Sequence, residues 1–441
     1  MKKVAFYTLG CKLNYAETST ISRSFEEKGY QKVDFNDTPD IYVINTCSVT
    51  ENADKKCRKI VSTAKTISPD SYVVIIGCFA QLKPKEIVEI PGVDAVLGTS
   101  EKFKIVELLD TFDRPPNPII LSKDIKSCSS FYQSWSVTDR TRTFLKIQDG
   151  CDYSCSFCTI PLARGKSRSS KIKEVVIAAE NIGNQGVKEI VLTGVNTGDF
   201  GKQESGQQQS FYDLICALDQ VQTIERFRIS SIEPNLLTNE IINFVANSKR
   251  FLPHFHIPLQ SGSNKILKLM RRRYLKELYE ERVNQIKLLM PSACIGVDVI
   301  TGFPQETESD FLDSYHFINS LDVSYLHVFT YSERKDTPAS TMDGVVSRID
   351  RSKRSRMLHS LSEKKRRAFY EKSVNTIQSV LFENDIEKGQ IFGFTKNYIR
   401  VSVEQNPKYI NQIFDVLVNE IDEDCVALGE ISVAQTVGII N

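Results

Sequence analysis

The amino-acid sequence predicts an α/β protein in three parts: a small parallel α/β domain at the N-terminus, a partial (β/α)6 barrel in the middle and a small β-barrel at the C-terminus. Three observations predict it. Strand-like and helix-like segments alternate through residues 1–115, the alternation resumes in six units between Thr143 and Thr337, and after Ser373 the pattern changes to short strands with turns.

In the first part KVAFYTL, DIYVINT and SYVVIIG read as strands, with helices over Glu17–Lys28 and Thr50–Ser68 between and after them. Short apolar runs alternating with helices imply a parallel sheet with helices on its faces. Asp113–Thr141 is rich in Pro, Ser and Asp, and DRPPNP cannot continue a helix because proline lacks the N–H. A linker is therefore expected over residues 116–140, separating an N-terminal domain (1–115) from a barrel (141–343).

The barrel strands are TFLKIQ, EIVLTGV, RFRISSI, HFHIPLQ, CIGVDVITG and YLHVFTY. Right-handed crossovers between them curl a parallel sheet toward a barrel. A basic helical connector follows over residues 344–372, with ten Lys or Arg against three Asp or Glu. IFGFTKNYIRVSV and QIFDVLVNEI then read as strands of a small barrel over residues 373–441.

Composition narrows the class. The chain has 441 residues, 41% hydrophobic and 25% charged, with a net charge of +1, which excludes a uniformly basic nucleic-acid binder. No apolar stretch approaches the ~20 residues of a membrane span. The N-terminal apolar run of about six residues falls short of a signal core of roughly 7 to 15. A cytoplasmic protein is expected, where thiols stay reduced, so clusters among the eleven cysteines point to metal or redox chemistry.

Two cysteine sets stand out. GCDYSCSFCTIP places Cys151, Cys155 and Cys158 on a loop after a strand, with no histidine until His254. Zinc wants a fourth Cys or His nearby, whereas an iron-sulfur cluster is bound by soft thiolates and can leave one iron without a protein ligand. Cys11, Cys47 and Cys78 each follow a predicted strand, and in a parallel sheet such positions share one edge. Cys57 lies within a helix, and Cys128, Cys216, Cys294 and Cys425 show no such pattern, so these five are expected to be bystanders. His254 and His256 are expected to be packed polar residues rather than metal ligands.

CDYSCSFC resembles the signature of radical S-adenosylmethionine enzymes. TLGCKLNYAET, INTCSVTENADKKC, IIGCFAQLKP and GCDYSCSFCTIPLARG together resemble the methylthiotransferases over essentially the whole chain. The resemblance implies a four-iron four-sulfur cluster on Cys151, Cys155 and Cys158, whose open iron takes S-adenosylmethionine. It also implies a second such cluster on Cys11, Cys47 and Cys78 and a C-terminal TRAM module. The implied reaction inserts sulfur and methyl at an unactivated carbon by way of a 5′-deoxyadenosyl radical.

Within the family GCKLNYAET, the Ala163–Gly165 segment and ISSIEP look most like members acting on N6-threonylcarbamoyladenosine at position 37 of tRNA. Members acting on isopentenyladenosine read closer to GCQMN at the first cysteine, and those acting on a ribosomal protein closer to GCPKN. Those two substrates stay open as alternatives, as does a non-catalytic metal-cluster protein that binds RNA.

The resemblance implies cofactor contacts from strand ends: Phe157, Gly194, Ser231, Glu233, Gln260, Asp298 and Gly302. The competing reading is that the glycines merely turn the chain. Arg164 could address a carboxylate of cofactor or substrate, and the basic group Lys265, Lys268, Arg271, Arg272 and Arg273 could track RNA phosphates. The connector could do the same, or simply be a solvated helix face. The last module has four Lys or Arg against ten Asp or Glu, net −6, which is unfavourable for RNA and would suit a basic protein substrate. Expected partners are the tRNA anticodon loop, a flavodoxin- or ferredoxin-type electron donor and a sulfur source, with no membrane and a monomeric chain.

Overall fold

The computed structural model describes residues 1–47, 51–111, 117–136, 141–202 and 209–432. The expected helix start at Thr50, both ends of the expected linker and the last nine residues lie outside this set.

The N-terminal sheet contains β1 (Lys3–Thr8), β2 (Gln31–Lys32), β3 (Ile41–Thr46), β4 (Tyr72–Gly77), β5 (Ala95–Leu97) and β6 (Ile119–Leu121), all parallel in the order β2-β1-β3-β4-β5-β6. β3 is buried along its whole length, as an apolar central strand covered on both faces must be. Val4, Val43 and Val74 face α1 (Lys12–Glu27) through Ile21 and Phe25; Ala5, Ile44 and Ile75 face α2 (Glu51–Ile67) through Val61 and Ala64. Cys57 is buried in the second of these layers, away from the sheet edge.

Two features differ from the sequence expectation. α1 begins at Lys12 rather than Glu17, because its first turns bury the polar residues Asn14, Glu17 and Thr18, which erases the apolar periodicity. The segment expected as a linker is stitched into both neighbours: Ile119–Leu121 forms β6, and β7 (Ser134–Trp135) pairs antiparallel with β8 (Thr143–Lys146). Strands of two or three residues carry too little pattern to be read from sequence.

After β8, the short β9 (Gln148–Asp149) and β10 (Arg168–Ser169) pair with each other and bracket the cysteine loop. The barrel continues with β11 (Glu189–Thr193), β12 (Arg226–Ile229), β13 (His254–His256), β14 (Cys294–Thr301) and β15 (Tyr325–Thr330). β8, β11 and β12 pair in parallel, as do β13, β14 and β15, and bridges Phe227–Phe251 and Ser231–His256 join the two sets. Leu145, Leu192, Phe227, Phe255, Val297 and Leu326 point outward into the helical core. Their alternates, including Arg228, His256, Asp298 and His327, therefore point into the lumen. α1 closes the side beside β8, where Ala16 packs with Phe144 and Val191.

The C-terminal module is a closed barrel of β16 (Ile377–Glu387), β17 (Gln390–Thr395), β18 (Arg400–Glu404), β19 (Ile413–Ile421) and β20 (Ala427–Ile431), in the order β16-β17-β18-β20-β19. It docks on the N-terminal ends of the barrel strands. Arg226 donates to the Ser379 hydroxyl at 2.8 Å, Arg228 to the Lys396 carbonyl at 3.1 Å, and the Arg142 guanidinium lies 4.3 Å from the centre of the Phe394 ring. Much of the connector's charge is spent internally. In the helix Arg348–Glu371, Arg351 donates to the Tyr331 carbonyl, Arg354 to Glu306, and Lys365 to the Leu321 carbonyl. No helix among the described residues is long and apolar enough to cross a membrane.

Candidate active site between two cysteine trios

Register explains the first trio. Thr46 pairs with Gly77, so Cys47 and Cys78 each take the next position past adjacent strands, with Cys78 opening the short helix α3 (Cys78–Leu82). Cys11 caps α1 after the neighbouring strand β1. Gly10, at φ 108°, makes the turn between them, and a Cβ there would lie 2.7 Å from Cys47 Cβ. Burial raises the Cys78 thiol above its ordinary pKa, with Arg164 working against that and the charge of Cys11 reinforcing it.

The second trio sits on the loop after β9. The loop is pinned by Cys151 N–H donating to the Gly165 carbonyl at 3.0 Å and Ser156 N–H donating to the Met270 carbonyl at 3.1 Å. Burial pushes the Cys151 and Cys158 thiols up to about 12, and the three sulfurs act on one another electrostatically. Gln148 bonds the Gly150 carbonyl and the Ser167 hydroxyl, both at 2.8 Å. A Cβ on Gly194 would meet Gln148 Oε1 at 2.9 Å, so that glycine makes room for the residue that supports the loop.

Donor spacing bears on the metal. Among the described residues, the donor atoms of His256, Asp298 and His327 lie within 4.8 Å of one another. A lone zinc with sulfur at ~2.3 Å holds its tetrahedral sulfurs ~3.8 Å apart. Three soft thiols with no fourth Cys or His in the loop fit an iron-sulfur cluster instead. In the histidine trio both ring nitrogens of His256 are engaged, by Ser231 Oγ at 2.6 Å and Asp298 Oδ1 at 2.8 Å.

The expected contact residues fall into two groups. Gly194, Ser231, Glu233 and Gln260 follow the C-terminal ends of β11, β12 and β13, on the rim that carries the cysteine loop, which is where active sites of such barrels gather. Phe157 meets Phe303 edge-on at 6.4 Å beside Met270 and Tyr331. Asp298 lies inside the lumen rather than on the rim; burial opposes its charge, but the His256 imidazole outweighs it and lowers its pKa. At Gly302, with φ 74°, the Cβ position is filled by Arg351, so the glycine admits the connector helix.

The four arginines take different places. Arg164 is 1% exposed and binds only protein groups, donating to Glu17 at 3.1 Å, Asp149 at 2.8 Å and Asn14 at 2.6 Å. Lys102 and Lys146 bind the same Glu17 at 2.6 and 3.0 Å, so this ionic lattice locks the N-terminal domain to the barrel. Arg272 turns inward, donating to Cys155 Sγ at 3.0 Å and to the Glu233 carboxylate, whose pKa burial raises. Arg273 stacks 3.9 Å from the centre of the Tyr153 ring, and Arg271 is exposed. Sequence reading missed the chain Glu233–Arg272–Cys155, because Arg272 lies far along the chain from Cys155 and only the fold brings them together.

A model described as uncharacterized protein family UPF0004 matches residues 3–98, and the radical SAM superfamily model matches residues 145–318. The threonylcarbamoyladenosine tRNA methylthiotransferase MtaB of Bacillus subtilis (strain 168) is 40% identical over 426 residues, 95% of this chain and 94% of that protein. The chain belongs to the radical SAM tRNA methylthiotransferase family. Another similar member, the MtaB of Thermotoga maritima, is 31% identical over 97% of this chain and 96% of its own. A tRNA-2-methylthio-N(6)-dimethylallyladenosine synthase of Thermobifida fusca is 31% identical over 77% of this chain and 70% of its own. Among solved structures, the radical S-adenosylmethionine methyltransferase TsrM of Kitasatospora setae aligns with TM-score 0.56 at 15% identity, over 77% of this chain and 75% of that one, a likeness of fold alone. As a radical SAM methylthiotransferase the chain uses S-adenosylmethionine and a four-iron four-sulfur cluster.

Proposed function

We propose that this methylthiotransferase converts N6-threonylcarbamoyladenosine beside the tRNA anticodon to its 2-methylthio derivative, using one cluster on Cys151, Cys155 and Cys158 and a second on Cys11, Cys47 and Cys78. The observation that carries the reading is the pair of cysteine trios, each past the C-terminal ends of strands, in a chain 40% identical to a protein of that name. When bound, the clusters and S-adenosylmethionine supply one-electron activation of a C–H bond and the methylthio group to be transferred.

The chain's own residues bind, orient and shield. Cys155 is fixed by Arg272, itself held by Glu233, so one ligand keeps its direction before a cluster arrives. Phe157, Phe303 and Tyr331 form a dry wall beside the loop, which excludes water from a reactive carbon radical. The target base has to leave its stack to reach this mouth. Exposed Arg271 and Arg273 stand at the rim, where phosphates would pass. A flavodoxin or ferredoxin as electron donor, a separate sulfur source and a cytoplasmic monomer complete the reading.

The test is a nucleoside digest of tRNA from a deletion strain. The methylthiolated peak should vanish and threonylcarbamoyladenosine accumulate; an unchanged peak overturns the reading. Gly10→Ala tests the second cluster. With φ 108° and Cys47 in the way, the substitution should displace that thiol and lower iron from about eight to about four per chain, read by iron and sulfide assay.

A further inference from the structure

Lys12 follows Cys11 directly, yet the two side chains serve different spaces. The thiol joins the N-terminal trio, while the ammonium enters the barrel lumen, where its charge acts on His254, Asp298, His327 and Tyr398. Among the described residues the half-buried Lys12 has no ion pair or hydrogen bond from its side chain. Its surroundings are dense in charge: Tyr398, Arg142, Arg228 and Asp298 all act on it.

The other charges are spoken for. Arg228 is bonded to Glu189 at 2.8 Å, Arg142 to Glu383 at 2.8 Å, and Asp298 to His256 at 2.8 Å. His254, 3% exposed on the same wall, has neither ring nitrogen in a hydrogen bond. A lumen ammonium without a partner, whose charge acts on a buried imidazole without a hydrogen bond, is a candidate anion site.

We infer that Lys12 binds the carboxylate of the threonylcarbamoyl group, so that the residue next to a cluster ligand reads the substrate's existing modification. This rests on the proposed function, which supplies a substrate whose N6 substituent ends in a carboxylate. An unmodified or prenylated adenosine offers no anion there and would leave the ammonium unpaired, which selects against it. A carboxylate held by the neighbour of Cys11 also sets the base beside the N-terminal trio, coupling recognition to position.

The experiment measures binding of the cluster-loaded full chain to anticodon stem-loops carrying threonylcarbamoyladenosine, its methyl ester or plain adenosine. The parent enzyme should bind the carboxylate form on the order of 30-fold more tightly than the ester. Lys12→Gln should abolish that difference while leaving affinity for the plain stem-loop unchanged, and Lys12→Arg should restore most of it. Iron content confirms that the variants are folded, and the ester comparison needs no variant at all. Equal binding of acid and ester by the parent enzyme overturns the inference, as does equal weakening of all three ligands by Lys12→Gln, which marks a general phosphate contact. Failure of the parent enzyme to methylthiolate the acid form would instead remove the proposed function.

Discussion

Cys155→Ala is expected to abolish cleavage of S-adenosylmethionine, by at least ~10³-fold, and to lower iron from about eight to about four per chain. Cys155 is 7% exposed and receives the Arg272 guanidinium, so it is the ligand whose direction is most firmly set. Cys151 and Cys158 are thiols pushed up to about 12, and binding iron has to displace their protons. Three anchors share that cost; two cannot hold a cluster against it. The N-terminal trio belongs to a separate sheet and should keep its iron. Retained cleavage, or loss of all iron, would contradict this arrangement. For the same reason cluster assembly in the parent chain should become more favourable as pH rises.

Glu17→Gln is expected to destabilise the junction between the N-terminal domain and the barrel by about 3–5 kcal/mol, because it strips a buried carboxylate from three cations. Burial works against the charge of Glu17, but Arg164, Lys102 and Lys146 outweigh it and hold its pKa well below the ordinary 4.5. A depressed folded pKa gives stability that is fully present above 4.5 and lost as pH falls through the folded value. Asp149 shifts the same way, through Arg164, Lys146 and Arg168. The parent chain should therefore lose stability below about pH 4.5, and the variant should show a lower first melting transition and a flatter acid response. A variant that melts like the parent at neutral pH would show that the lattice contributes nothing.

The strands that precede the two cysteine trios were legible because buried parallel strands are nearly continuous apolar runs, as in IYVINT and YVVIIG. Their shared edge followed from chain direction alone. Side-chain direction did not follow. Arg164 reads as a surface or ligand-binding arginine in GCDYSCSFCTIPLARG, and only the packing of α1 against β8 shows why it is fully enclosed. Gly302 looks like a turn for a cofactor, and only the approach of Arg351 gives its reason. Lys12 carries no periodic signal, since the helix it begins buries polar residues. The acidic balance of the last module was legible, but not that Arg226, Arg228 and Arg142 would dock it against the barrel.

The ionic lattice around Glu17 has a kinetic side. Pulling the two cysteine-bearing domains apart would take Arg164 and Lys146 away from Glu17 and leave it Lys102 alone, which works against a swinging hinge between them. Movement between the trios therefore falls to nucleotide and cofactor rather than to the domains.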